Sequence, residues 1–358
     1  IQTLLDFDPS LAKKWTKDGQ TALHTASFEG HTEAIQTLLN FDPSLAKEKT
    51  NDGQTALHDA ALKGQTQAIQ TLLDFDPSLA KEKTNNGQTA LHDAALKGQT
   101  EAIQTLLDFD PSLAKEKNKF GETALHAASF EGHTEAIQAL LAFDRSLAKE
   151  KNKFGETALH RSAANGHTEA IRTLLDFDHS LAKEKVIHGF TALHLAASKG
   201  HKEAIQTLLD FDPSLAKKKT KDGQTALHTA SFEGHTEAIQ TLLYFDPSLA
   251  KEKDKYGQTA LNRAAEKGHT EAIQTLQAFD RSLAKVKDKN VKTVLDLAKG
   301  GLKETVKVLT YFAVSRADHE KDNSTLTTNV EIDDTKKADK TAQAVSVATN
   351  DPAPTDSK

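Results

Sequence analysis

Sixteen histidines are the first residues in this 358-residue chain that could do chemistry. Imidazole binds metals and moves protons, so their spacing matters more than their number. Thirteen fall at two recurring positions, those of His24 and His31. Copies of each position lie a fixed 34 residues apart, and so sit on successive layers rather than around one point. A zinc site needs three or four convergent ligands, so no metal site is expected. Gln65, Gln99 and Asn262 stand in for histidine, which fits a hydrogen-bonding role better than ligation.

The carboxylates read the same way. Asp42, Asp76 and their equivalents precede Ser-Leu-Ala in copy after copy, where a short polar side chain forms a turn or cap. Glu33 and its equivalents open a helix, where negative charge suits the dipole. There is no cysteine, so disulfides and thiolate sites are excluded. Neither a phosphate-cradling loop nor a nucleophile elbow occurs. No catalytic residue, metal or cofactor is therefore expected, and the chain is not read as an enzyme.

The elements behind this spacing come from an internal repeat. Thr-Ala-Leu-His begins at Thr21, Thr55, Thr89, Thr123, Thr157, Thr191 and Thr225. An eighth copy at Thr259 ends in Asn262, and a ninth at Thr293 reads Thr-Val-Leu-Asp. In the unit from Lys49 to Lys83, Ala56, Leu57, Ala60 and Ala61 make the apolar stripe of a short helix. Gly64 ends that helix where a positive φ is needed. A second helix carries Ala68, Ile69, Leu72, Leu73 and Phe75, and Asp76-Pro77 stops it. Leu79 and Ala80 anchor the following loop, which protrudes around Gly87. At about three turns each, neither helix is stable alone, so the stripes must be buried by stacking.

These residues resemble the ankyrin repeat family: Gly-Gln-Thr-Ala-Leu-His, then Ala-Ala, Gly-His and Glu-Ala-Ile-Gln-Thr-Leu-Leu. The resemblance spans residues 1–313 and implies an all-α solenoid of helix-turn-helix units with protruding β-hairpin-like loops. The family usually has proline where Ala22 and Ala56 stand, and a repeat of about 33 residues. The longer Asp-Pro-Ser-Leu-Ala loop is similar to ankyrin arrays common in plants, which often carry a membrane-spanning C-terminal domain. This sequence has no run of 18 apolar residues, so that function is not transferred.

The organisation expected is a half repeat at 1–14, eight repeats at 15–288, a degenerate cap at 289–314 and a disordered tail at 315–358. Ile1 aligns with Ile35 inside a second helix. The sequence is therefore read as a fragment or processed form. Its open first face is a place for end-to-end association of an otherwise monomeric array.

A formal net charge of −6, with the lysines of Ala-Lys-Glu-Lys alternating with glutamate, argues against a nucleic-acid partner. The resemblance implies a protein partner, met on a concave face of loop tips and first helices. Variation between copies concentrates there. The tips are Asp18, Asp52, Asn86, Phe120, Phe154, His188, Asp222, Tyr256 and Asn290. Phe120, Phe154, His188 and Phe190 are read as aromatic groups at consecutive tips, Phe130 stands at a first-helix end, and Arg161 breaks the helix pattern. Phe120, Phe154, His188, Phe190, Tyr256, Phe130 and Arg161 are thus the candidate partner-binding residues. The function expected is a cytoplasmic interaction scaffold or adaptor. The alternatives are a secreted, host-directed effector, as intracellular bacteria make from such arrays, or the regulatory array of an enzyme whose catalytic domain lies elsewhere.

Overall fold

The computed structural model describes residues 2–290, 292–298 and 305–310. The expected tail at 315–358 lies outside the described residues, as do Val291, Gly300, Gly301 and Phe312 of the expected cap.

The unit predicted from Lys49 to Lys83 is present and recurs along the chain. A first helix, Ala56–Lys63, is followed by a second, Thr66–Phe75. A short 3-10 helix, Pro77–Lys81, comes next and was not predicted. The first helices have seven or eight residues in the copies from Ala22 to Lys267, so they make about two turns rather than three. Each packs on the first helix of the next copy, and second helices pack on second helices. Apolar side chains from all copies join one continuous core.

The expected stripe on the first helix is too narrow a description. Every residue from Ala56 to Ala61 is buried, His58 and Asp59 included. A neighbouring helix on either side, the second helix behind and the loops in front enclose it. The second helix keeps the predicted single face, with Ala68, Ile69, Leu72 and Leu73 buried.

Two local devices set the unit's turns. Gly98, between the helices, has φ +67°, and a Cβ there would come within 2.7 Å of the His133 ring of the next copy. Glycine is thus required by backbone and by neighbour alike. After the second helix, the Asp76 carboxylate accepts from Ser78 N–H at 2.9 Å and from its hydroxyl at 2.7 Å. That carboxylate starts the 3-10 turn. Proline does not, because Arg145, His179 and Arg281 replace it and the turn persists.

The loops close like hairpins without forming strands among the described residues. Thr50 N–H donates to Gln54 O, and Gly53 N–H to Thr50 O, both at 2.9 Å. At the C-terminal end, helix Val294–Ala298 buries Val294 and Ala298, and Leu309 reaches the same core.

Candidate functional site

The histidine positions resolve into two clamps between copies. His58 Nδ1 accepts from the Thr55 backbone N–H at 3.1 Å, so the proton sits on Nε2. Nε2 faces the Gln88 carbonyl of the next copy at 3.2 Å and donates to it. His24, His92, His126, His194 and His228 repeat this contact. Burial holds His58, His92, His160, His194 and His228 down at about 4, so they stay neutral at pH 7. Asn262 keeps half the role: its Oδ1 accepts from Thr259 N–H, while Nδ2 has no partner.

The second clamp points backward. His133 Nε2 meets Leu96 O at 3.1 Å, and Gln65 and Gln99 reach Phe28 O and Leu62 O in the same manner. Among the described residues, no group of three or more His, Asp or Glu side chains gathers to hold a metal ion. No helix there is long and apolar enough to cross a membrane.

Outside the clamps, the candidate residues occupy a face built from loop tips and first helices. Phe120 and Phe154 are about half exposed, at 50% and 54%. Each is held by its backbone: Phe120 N–H donates to Asn118 Oδ1 and Phe154 N–H to Asn152 Oδ1, both at 2.9 Å. The side chains are thus presented on fixed loops. Tyr256 is exposed in the same way, above Asp254.

Arg161 joins several of these groups. Its guanidinium lies 4.7 Å from the Phe130 ring centroid, 3.2 Å from Glu122 and 3.5 Å from Glu156. A cation stacked on an aromatic face and flanked by carboxylates is a semi-rigid platform. Three copies on, Arg263 repeats the motif with Asp254 at 2.6 Å and Tyr256 at 5.8 Å. Sequence reasoning passed over Arg263, although it stands at the same step of its helix as Arg161.

The other candidates divide. His188 is exposed at its tip. Phe190 is not a tip residue: it is half-buried, edge-on to the His194 ring at 5.7 Å. Val186 and Ile187, in the same loop, were not singled out, yet Ile187 is 52% exposed. The signal lay one and two columns from the tip column, where other copies carry Thr, Asn, Asp or Lys.

Asp59 and Asp93 occupy the helix position of Arg161 in earlier copies. Both are buried, and their Oδ2 atoms have no partner. Burial pushes each carboxyl up to about 7, and Asp59 adds to the effect at Asp93.

The comparisons with known proteins agree with this architecture. The family model for ankyrin repeats matches in overlapping blocks from residue 1 to residue 282. The crystal structure of the human ASB11 ankyrin repeat domain is similar, at 25% identity and a TM-score of 0.54. The match covers 63% of this chain and 98% of that one. No curated protein matches the sequence. With the family pattern covering most of its length and the stacked helix pairs in place, the chain belongs to the ankyrin repeat family.

Proposed function

We propose that this array is a protein-interaction scaffold that binds its partner on the loop tips and first-helix surface of the central copies. Ankyrin repeats generally mediate protein–protein interaction. The observation that carries the finer reading is the pair Phe120 and Phe154: large apolar side chains, half exposed, on loops pinned by side-chain and backbone hydrogen bonds. Exposed aromatics on a pre-ordered frame suit a binding hot spot, because little ordering entropy is lost on association. Arg161 on Phe130 extends the same surface. Neither ring stacks on another aromatic residue among the described residues, which leaves their exposed halves available to a partner.

The test is a pull-down with the array, repeated with Phe120→Ala plus Phe154→Ala. A partner captured by the parent array should bind the double variant more weakly by about 2 kcal/mol or more. Far-UV circular dichroism should be unchanged. Equal capture by both proteins, or loss of helicity in the variant, would overturn the reading.

A further inference from the structure

One loop departs from the others in several of the features that hold them, although its backbone turn bonds, Val186 N–H to Phe190 O at 2.9 Å and Gly189 N–H to Val186 O at 2.8 Å, remain. In the loops from Thr16 to Lys292, a side chain at the first turn position accepts from the backbone N–H four residues on. Examples are Thr50 from Gln54, Asn152 from Glu156 and Asp254 from Gln258. Val186 occupies that position in residues 184–190 and can accept nothing. The histidine clamp is weakest at the same place: His160 Nε2 makes no well-formed hydrogen bond, although the backbone of Glu184 and Phe190 lies close to the ring. The bond between adjacent tips lengthens too. Ile187 N–H reaches Phe154 O at 3.3 Å, whereas Lys153 reaches Phe120 O and Lys255 reaches Asp222 O at 2.9 Å.

The base of this loop also breaks a charge ladder. Lys49–Glu82, Lys83–Glu116, Lys117–Glu150, Lys151–Glu184 and Lys219–Glu252 each close at 2.7 Å. Lys185 is the next rung, and Lys218 stands where the glutamate should be. Lys185 keeps only its bond to the Lys219 carbonyl, at 3.2 Å. The parallel ladder of Lys47–Asp76 and Lys149–Asp178 also lacks its rung here, since Lys183 forms no ion pair with Asp212. Lys183 and Lys218 are near enough to help hold the Asp212 carboxyl down, behind the Ser214 hydrogen bonds. Lys185 and Lys218 thus stand at the two positions where five neighbouring rungs pair an ammonium with a carboxylate.

We infer that the loop 184–190 is a docking element for an extended acidic segment of a partner protein. An apolar side chain of that segment covers Val186 and Ile187, and its Asp or Glu carboxylate bridges Lys185 and Lys218. The charge and geometry of the intact rungs select a carboxylate as the occupant. The missing side-chain acceptor and the weakened histidine clamp give this loop fewer ties than its neighbours as the segment lands. This inference deepens the scaffold reading and rests on it.

Random linear peptides displayed on phage and selected against the full chain provide the probe. Selected peptides should carry Glu or Asp beside a large apolar residue. Their affinity should fall at least tenfold for Lys218→Glu, which restores the rung, and for Val186→Thr plus Ile187→Lys, which restores the common loop. Both variants bring in residues that neighbouring copies already hold, and Lys218→Glu alone decides the matter if the loop variant misfolds. Peptides that bind but ignore Lys218→Glu would overturn the inference. If those peptides were lost with Phe120→Ala and Phe154→Ala, the scaffold reading would survive it. Tighter binding of a phosphoserine version of the same peptide would overturn the carboxylate assignment. A library yielding no binder would overturn the docking inference and leave the scaffold reading to the pull-down.

Discussion

Asp93 and Arg161 stand at the same step of the first helix, two copies apart, and their surroundings differ completely. Arg161 has two glutamates and a phenylalanine ring around it. Asp93 is buried with one oxygen unpartnered and its neighbour Asp59 in the same condition. Near them the loops carry Asp52 and Asn86, while near Arg161 they carry Phe120 and Phe154. The paired helices and the turn glycines are the same in both regions. A constant frame therefore carries one region where a charge is paired and aromatic side chains are exposed, and another that holds stored electrostatic cost.

The contrast can be broken from either side. The largest effect expected is on binding, through the Phe120 and Phe154 double substitution described above; the matching change at Asp52 and Asn86 should leave capture unaltered. Next comes Asp59→Ala with Asp93→Ala, which copies the alanine found at position 127. The unfolded chain ionises these carboxyls near 3.8, whereas the folded chain keeps their protons up to about 7. Stability therefore falls as pH rises from about 4 to about 7, and removing the carboxyls should restore about 2 kcal/mol or more at pH 8. Urea unfolding at pH 8 and at pH 4 checks this, because the gain should vanish at the lower pH.

The histidines act with the opposite sign. Their unfolded value of 6.5 lies above the folded value of about 4, so stability is lost as pH falls between the two. Hydrogen exchange at pH 7 and pH 5 should show the central copies losing protection, with the pair bearing Asp59 and Asp93 losing less. A smaller difference separates two clamps. His126→Ala breaks a made bond, and His160→Ala breaks none at Nε2, so the first should cost about 1 kcal/mol more by thermal melting. Smallest of all, Lys83→Met removes an exposed rung and should change stability by no more than about 0.5 kcal/mol.

Much of the frame was legible because it repeats. The 34-residue period, the glycine ending the first helix and the Asp-Ser turn each require particular residue types, and those types recur in register. The 3-10 helix after the turn was not legible, since Ser-Leu-Ala-Lys carries no signature of its own beyond the cap. The fates of Asp93 and Arg161 were hidden for another reason. Whether a charge finds a partner depends on Glu122 and Glu156, which approach only when loops of adjacent copies stack. Val186, Ile187 and Lys218 could have been read by comparing every loop column rather than the tip alone.

The constant register has a consequence for length. Contacts between copies recur at fixed separations close to one repeat, as in His58 to Gln88, Lys49 to Lys83 and Gln65 to Phe28. All of them join one layer to the next. An out-of-register exchange between two near-identical stretches of coding sequence would delete or insert one whole layer and leave every remaining spacing intact. Such an array can lengthen or shorten in a single genetic event without a new junction to optimise, and the distinctive loop at 184–190 would travel along the stack as a unit.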